Sequence, residues 1–588
     1  MQETFDWLYQ RSAENRTTGL NLYDIIQSRE NILLAYRMIK SNTGSTTKGT
    51  DNLTINDYKI MSEEDFVQDI QESLRQYKPS SIKRVEIPKP NGKVRPLGIP
   101  TMKDRLIQQM IKQVIEPICE AKFYTHSYGF RPLRATSHAI ARCNYLMFKV
   151  KCHHVVDVDI KSFFDHVNHS KLLHQLYTIG VRDKRVLAII SKMLKAPIKG
   201  IGIPKCGTPQ GGILSPLLSN VVLNDLDWWI SNQWETFPTR NTYVHTYNKY
   251  RAQKTTKLKE MHIVRYADDF KIFTANHKHA WKIFHAVQGY LKDYLKLDIS
   301  KEKSKVTNLR RNYTEFLGFH LKVVKKNKQY VSISKISDKG KQTIINKYKE
   351  HIRVLQKEPT VSNLNRLNSF ILGVQNYYKI ATRVFIDLSE LYYRSLKHNY
   401  NRLKRVAKYE IPRSPPLIYR KFYKQKLKTF KIDEVYLFPL ADVRWTKPYL
   451  FHGNTTLFTL EGRNKFHKNL KVTIQDQIIL LSKSAPEYHS LEYRDNRLSR
   501  YSMQNGKCHV TGEFLFHKEV HCHHILPISM GGTDKYDNLV IVHKWVHELI
   551  HATDSKTIVK YKSLLNLSEK QLKKLNKLRT TCNLTELT

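Results

Sequence analysis

The sequence has no apolar run approaching the roughly 18 residues that a membrane span needs, so no membrane partner is expected. Met1 is followed by Gln-Glu-Thr-Phe-Asp-Trp rather than by a basic and then apolar leader, which argues against secretion and for a bacterial cytoplasm. An organelle-encoded chain would read the same way. Cysteine is scarce. Cys119, Cys143, Cys152, Cys206, Cys508, Cys522 and Cys582 are scattered, odd in number and without a close C-x-x-C pair, which excludes a disulfide-built fold and indicates a reducing compartment. Acid is also short, with 52 Asp and Glu against 98 Lys and Arg, while Tyr is plentiful at 33. Wide positive fields interleaved with aromatics call for a polyanion, whose phosphates release counterions on binding. A ribosomal-type coating protein shares that charge but rarely a length of 588 residues, which by size divides into about four domains.

The acids matter most where they sit in apolar surroundings. In HIVRYADDFKIFT, His262 to Thr274, Val264 and Tyr266, then Phe270 and Ile272, recur every second residue around Ala267-Asp268-Asp269. That alternation predicts a hairpin with two acids at its tip. Adjacent carboxylates repel, and a divalent cation between them resolves the repulsion. HHVVDVDIKSFF, His153 to Phe164, supplies a second strand with Asp157 and Asp159 on one face. Buried carboxylates need a metal or a base nearby. Asp159 and Asp268 are therefore the expected metal-binding pair, with Asp269 as helper. An Asp-Asp turn alone is more often a solvated loop, and the second acidic strand reverses that reading.

Other stretches carry local signals. Asn91-Gly92 between IKRVEIP and KVRPLGIP predicts a hairpin that places Lys93 and Arg95 on one strand, before a helix from Met102 to Ile115. Gln210-Gly211-Gly212 lets a backbone approach a ligand closely, and the following helix presents Leu217, Leu218, Val221 and Leu226 to a core. Trp228 to Met261 is a polar insertion rich in Tyr and Lys, either RNA-contacting or flexible. Residues 335–420 read as almost wholly helical, with Ser362 capping a helix that aligns Leu364, Leu367, Ile371, Val374 and Tyr378. Arg413-Ser414-Pro415-Pro416 marks a boundary. Residues 430–500 are basic with weak periodicity. In the C-terminal HCHHILPISMGGTDKYDNLVIVHKWVHELIHA, His547 and His551 lie one helical turn apart and so share a face.

YADD, DIKSFFD (159–165), GTPQGGILSPLLSN (207–220) and KPNGKVRPLGIPTMKDRLIQQ (89–109) occur in the order and at roughly the spacing seen in reverse transcriptases of mobile group II introns, and the likeness covers nearly the whole chain. The C-terminal histidines resemble the HNH nuclease motif. The resemblance implies an α+β multidomain protein, a right-hand polymerase of fingers, palm and helical maturase thumb with a C-terminal ββα-metal HNH nuclease. Its parts would be an N-terminal extension at 1–60, fingers and palm at 61–330, a thumb or maturase domain at 331–425, a DNA-binding region at 426–500 and the nuclease at 501–588.

By the same resemblance, Asp159, Asp268 and Asp269 hold two Mg²⁺, and Lys93, Arg95, Phe164, Gln210 and Lys303 meet the incoming dNTP. The bulk of Phe164 would exclude a 2′-hydroxyl. Lys48 and Arg131 would contact template RNA, LNRLNSFILGVQNYYKIATR would bind intron RNA, and Phe316 to Phe319 would form a primer grip. In the nuclease His523, His547 and His551 would hold one divalent metal, His524 would be the general base and Asn538 would steady its loop. Intron RNA, target DNA and dNTPs are the implied partners, with nucleoid association on the DNA target and a homodimer left open.

One departure concerns the two C-x-x-C pairs that usually flank such a nuclease. Cys508 survives, but Thr511, His543 and Val546 replace the other three, which argues against a structural Zn²⁺. A splicing cofactor with a vestigial nuclease is the alternative reading. A polymerase recruited to defence or diversity generation is a third, which the HNH tail and maturase-like helices disfavour.

Overall fold

In the computed structural model, residues 1–88, 94–453, 455–466, 472–483 and 489–588 are described. The expected Lys93 lies outside them. No helix among the described residues is long and apolar enough to cross a membrane. The fold is mixed α/β, and its buried side chains gather into three apolar cores.

The first core forms around the helix Met102–Glu120, which is buried along nearly its whole length. Gln2–Ala13, Arg29–Lys40 and Glu63–Arg75 wrap it, contributing Leu8, Ile32, Tyr36, Phe66 and Ile70. The helix continues five residues beyond Ile115, and Pro117 interrupts only its last turn. Thr101 caps its start by accepting from the Asp104 amide. Arg105 leaves the same first turn and donates to the carbonyls of Gly44 and Thr47 at 2.9 and 2.6 Å. The loop 41–50 is therefore pinned by its backbone, with Lys48 exposed on it.

Between the first and second cores lies a four-stranded antiparallel sheet, in the order His262–Tyr266, Asp269–Thr274, His154–Val158, Lys305–Asn308. Helices Ser215–Asn232 and His277–Gly289 pack on it. The insertion is partly ordered as the helix Thr246–Gln253, whose Tyr250 ring meets His262 at 5.5 Å.

A second, three-stranded sheet, Thr314–Phe316, Phe319–Lys326 and Gln329–Ile336, follows. It carries strand where residues 335–336 read as helix, and Phe316 and Phe319 are buried on either side of its first turn. Three long helices, Asp338–Lys357, Val361–Tyr378 and Val384–Leu403, complete the second core. The middle helix is capped by Thr360, whose hydroxyl accepts from Asn363, and not by Ser362. The loop before it ends two residues earlier than the apolar spacing suggests.

Residues 426–500 do not form a core of their own. Phe430, Ile432, Tyr436, Leu440 and Val443 enter the helical core, whereas Ile474, Leu481, Tyr493 and Tyr501 enter the third. The first group is held by Gln375, whose amide donates to the carbonyls of Pro439, Leu440 and Ala441 while its oxygen accepts from the Tyr423 hydroxyl. Helix Leu491–Met503 faces two ways. Its Arg494 pairs with Glu63 at 2.8 Å and Asp495 with Lys40 at 3.0 Å, so the C-terminal unit docks on the N-terminal helices.

Gln375→Ala would leave those carbonyls and the Tyr423 hydroxyl buried without partners, at a cost of about 1–3 kcal/mol. Limited proteolysis should then cut faster between Tyr423 and Val443, with the N-terminal fragments unchanged in rate.

Candidate active site

The acid hairpin turns in two residues, since Tyr266 pairs directly with Asp269. Such turns favour glycine at the first loop position because the backbone there takes positive φ. Ala267 occupies it at φ 58°, and residues outside glycine hold that conformation only when their surroundings enforce it. The enforcement comes from Arg265. Its guanidinium donates to both oxygens of Asp227 at 2.9 and 2.6 Å, to Asn220 Oδ1 at 2.8 Å and to the Ala267 carbonyl at 2.9 Å. Asn220 in turn donates to the Gly129 carbonyl at 2.8 Å. Gly129 lies so close to the turn that a Cβ there would sit 2.2 Å from the Ala267 nitrogen. Three separate motifs, SYGFRP, SPLLSN and YADD, thus meet around one buried ion pair. Sequence reasoning missed that pair, although an Arg in an apolar strand and an Asp in an apolar helix each signalled a need for the other.

The hairpin brings Asp268 and Asp269 to the end of strand His154–Val158, where Asp159 follows. Burial, and then the charge of Asp159, raises the proton affinity of Asp268. Burial pushes Asp269 up to about 6, with Asp157, Asp268 and Asp159 adding to the rise and Lys271 opposing it. Two carboxylates that resist ionisation, with a third beside them, fit a divalent cation. Asp157 is differently placed. Lys271, directly opposite in register, forms an ion pair with it, and Thr314 donates a hydroxyl at 3.2 Å. Its charge is already answered, which separates it from Asp159 two residues on. Lys303 reaches Asp159 at 3.2 Å, and the segment it comes from is tied to that strand end by the Ser300 amide and the Ser304 hydroxyl.

Phe164, five residues beyond Asp159, and Gln210 line one pocket of about 270 Å³ with Arg84, Gly98, Asp165 and Thr208. Backbone contacts build it: the Thr208 amide donates to Phe164 at 2.7 Å and the Gly98 amide to Gln210 at 2.6 Å. Gly211, at φ +115°, sits against the Gly98 carbonyl, where a Cβ would come within 2.6 Å. Arg95 acts at Asp268, lowering its proton affinity. Arg84 was not foreseen, because a basic hairpin reads as a solvated edge until its neighbours are known.

Arg131 is a correction. Its side chain is 2% exposed and donates to both oxygens of Glu120 and to the carbonyls of Tyr124 and Ser127. A guanidinium with these partners organises the turn and has no face left for RNA phosphate.

A second constellation lies in the third core. Strands Val520–His524 and Leu539–His543 pair antiparallel, and helix Lys544–His551 packs on them. The rings of His523 and His551 lie 5.1 Å apart and share a group of ligand atoms within 4.8 Å of one another, while His547, at 5.4 and 4.8 Å from those rings, lies beside that group and not in it. Burial first, and then neighbouring imidazoles, lowers His523 to about 3 and His547 to about 2. Both are thereby neutral, the form that ligates metal. His524 points elsewhere: its Nε2 meets Asp534 Oδ1 at 2.8 Å and its ring stacks on Tyr493, leaving the other nitrogen to take a proton. Asn538 holds the following loop, accepting from the Leu526 amide and donating to the carbonyls of Leu526 and Thr533. His523, His524, His547 and His551 edge a cleft of about 530 Å³ lined also by Arg497, His489 and His521. Asp534 and His521 were missed. Where the lost cysteine pairs would meet, Cys508 Sγ accepts amides from Thr511 and His543, and buried Val546 belongs to the surrounding core.

Removing one member of a buried ion pair strands the other charge, so Asp227→Ala is expected to cost about 3–5 kcal/mol in denaturant unfolding. Asp269 has a raised pKa, so its ionisation disfavours the metal-free fold as pH rises from the ordinary carboxylate range through about 6. Asp269→Asn should therefore raise the thermal midpoint of metal-free protein near neutral pH, and the gain should shrink towards zero in acid.

Residues 87–321 match the family model described as reverse transcriptase (RNA-dependent DNA polymerase). Protein YkfC of Escherichia coli strain K12 is 32% identical over 333 residues, covering 54% of this chain and 86% of its own length. The group II intron-encoded protein LtrA of Lactococcus lactis subsp. cremoris is 28% identical over 454 residues, 66% of this chain and 74% of that one. A putative COX1/OXI3 intron 2 protein of Saccharomyces cerevisiae is 25% identical over 433 residues, 63% of this chain and 50% of that one. With the acids gathered on one sheet end, these matches place the chain in the group II intron-encoded reverse transcriptase and maturase family.

Proposed function

We propose that this protein copies its intron RNA into DNA from a primer that its own C-terminal HNH nuclease creates in the target DNA, and that it grips the same RNA to assist splicing. The gathering of Asp159, Asp268 and Asp269 at one sheet end carries the reading, and the pocket joining Phe164 to Gln210 supports it.

In this reading Asp159, Asp268 and Asp269 would hold two Mg²⁺, whose charge would favour the ionised primer 3′-hydroxyl that attacks the dNTP α-phosphate and the pyrophosphate that departs. Phe164 forms the floor under the sugar and excludes a 2′-hydroxyl. Gln210 meets the nucleotide, while Arg84, Arg95 and Lys93 offer cations to the triphosphate. Lys303, 68% exposed, neutralises Asp159 and has the reach to turn towards phosphate. Lys48 stands exposed on its pinned loop for template RNA. Residues 1–60 serve as extension, 61–330 as fingers and palm, and the helices from 331 as thumb, continued past 425 to Val443 because those residues share its core.

For the nuclease, a divalent metal on His523, His547 and His551 would stabilise charge on the cleaved phosphate. His524, oriented by Asp534, takes the proton from water. Asn538 keeps the base-bearing loop in place, and Arg497 in the same cleft supplies a cation for the DNA backbone.

Primer extension on a poly-ribonucleotide template with Mg²⁺ should yield DNA in the wild type and none with Asp268→Asn. A folded, RNA-binding wild type that makes no DNA would leave a splicing cofactor as the better account. His524→Ala should cut target-strand nicking by about 10²–10⁴-fold, the usual worth of a general base, with primer extension intact.

A further inference from the structure

The nuclease site contains a thiol that its motif does not call for. Cys582, just beyond the last helix Glu569–Thr581, lies with His523 and His551 so that one ligand atom from each falls within 4.8 Å of the others. Two further observations mark this as built. The two imidazoles are already in contact, with His551 Nε2 3.4 Å from His523 Nδ1, which leaves Nε2 of His523 for another partner. His523 is 2% exposed, and its Nε2 has no hydrogen-bond partner among the described residues. A buried polar nitrogen without a partner is costly unless something else engages it.

The thiol is also held in place. One turn before it, Arg579 is 1% exposed and donates to the carbonyls of Leu549, Ile550 and Ala552 at 2.6, 3.1 and 2.9 Å. Those carbonyls end the helix that carries His547 and His551. The arginine thus clamps the last helix to the metal-bearing one, and residues 579 and 582 share a face. Asn576 closes the tail by donating to Leu587 and accepting its amide. The cleft that would admit DNA is lined by His523, His547 and His551 but not by Cys582, so the thiol approaches the histidines from the core side.

Resting on the HNH reading above, we propose that Cys582 is an additional, thiolate ligand of the nuclease metal, which turns a histidine site into a mixed nitrogen and sulfur site. Loss of the thiol proton to solvent on binding gives the thiolate. A thiolate donor selects Zn²⁺ and Co²⁺ over Mg²⁺ and Ca²⁺, which take oxygen ligands. It also adds a negative charge to the site, which weakens the metal as an acid towards bound water. The chain therefore lacks a cysteine cluster around Cys508 and carries a thiol beside the C-terminal histidines.

The full chain carrying Cys206→Ser, which removes the exposed cysteine, is titrated with Co²⁺ and read by absorption. The expected result is a near-ultraviolet thiolate-to-cobalt band with tetrahedral visible bands at one equivalent. Cys582→Ser should abolish the near-ultraviolet band and weaken Co²⁺ and Zn²⁺ binding at least tenfold, and His551→Ala should abolish the band as well. Cobalt bound in a His551-dependent manner without the thiolate band overturns the ligand assignment and leaves the nuclease reading standing. A thiolate band that survives Cys582→Ser also overturns it. No His551-dependent cobalt binding at all, in protein that still extends a primer, overturns both.

Discussion

The polymerase site depends on a buried ion pair. Arg265 and Asp227 are both within 1% of full burial, and an unpaired charge in either position would be strongly unfavourable. Their pairing spends only part of the guanidinium, and its remaining donors fix Asn220 and the carbonyl of Ala267. That carbonyl belongs to the one residue of the acid hairpin held at positive φ. A tight turn with alanine in that position is not self-sustaining, and here it is imposed from behind. The three carboxylates are consequently presented on a fixed frame, with the strain taken up by a network that never touches substrate.

Charge neutralisation divides the acids by role. Asp157 lies in the strand and Asp159 just past its end, and only Asp157 has a buried lysine opposite it in register. Asp269 feels that lysine at 3.8 Å but remains dominated by burial and by like charges. The same logic operates in the C-terminal unit. His523 and His547 are kept neutral by burial and by each other, whereas His524 is turned towards Asp534 and out of their cluster. In both places the separation of ligand from non-ligand is set by what faces each group, since the residue types are identical.

The two chemistries share one framework. Helix Leu491–Met503 places Tyr493 beneath His524 while Arg494 and Asp495 pair with residues of the N-terminal helices. The C-terminal unit is therefore mounted on the helices that wrap Met102–Glu120, which also position the pinned loop at Lys48. Apolar burial carries each core, and the charged seam between them sets their mutual orientation.

Much of this was legible in the residues. Alternation around Ala267-Asp268-Asp269, the paired acids of HHVVDVDIKSFF, Asn538 and the i, i+4 spacing of His547 and His551 are local patterns, and local patterns survive in a linear chain. What faces what is not local. Arg131 looked like an RNA contact because a basic residue at a turn usually meets solvent, and only the fold turned it onto Glu120. The apolar residues from Phe430 to Val443 gave weak periodicity because they fill gaps in a helical core and present no regular face. Arg84 joined the pocket of Phe164 and Gln210, and Cys582 the C-terminal histidines, across separations that no spacing rule spans. The sequence by itself determined the elements and the chemical character of both sites, because those follow from residue type at short spacing. The tertiary structure decided which charges are answered, which remain to bind metal or phosphate, and which residue is merely structural, because each depends on neighbours brought together by burial.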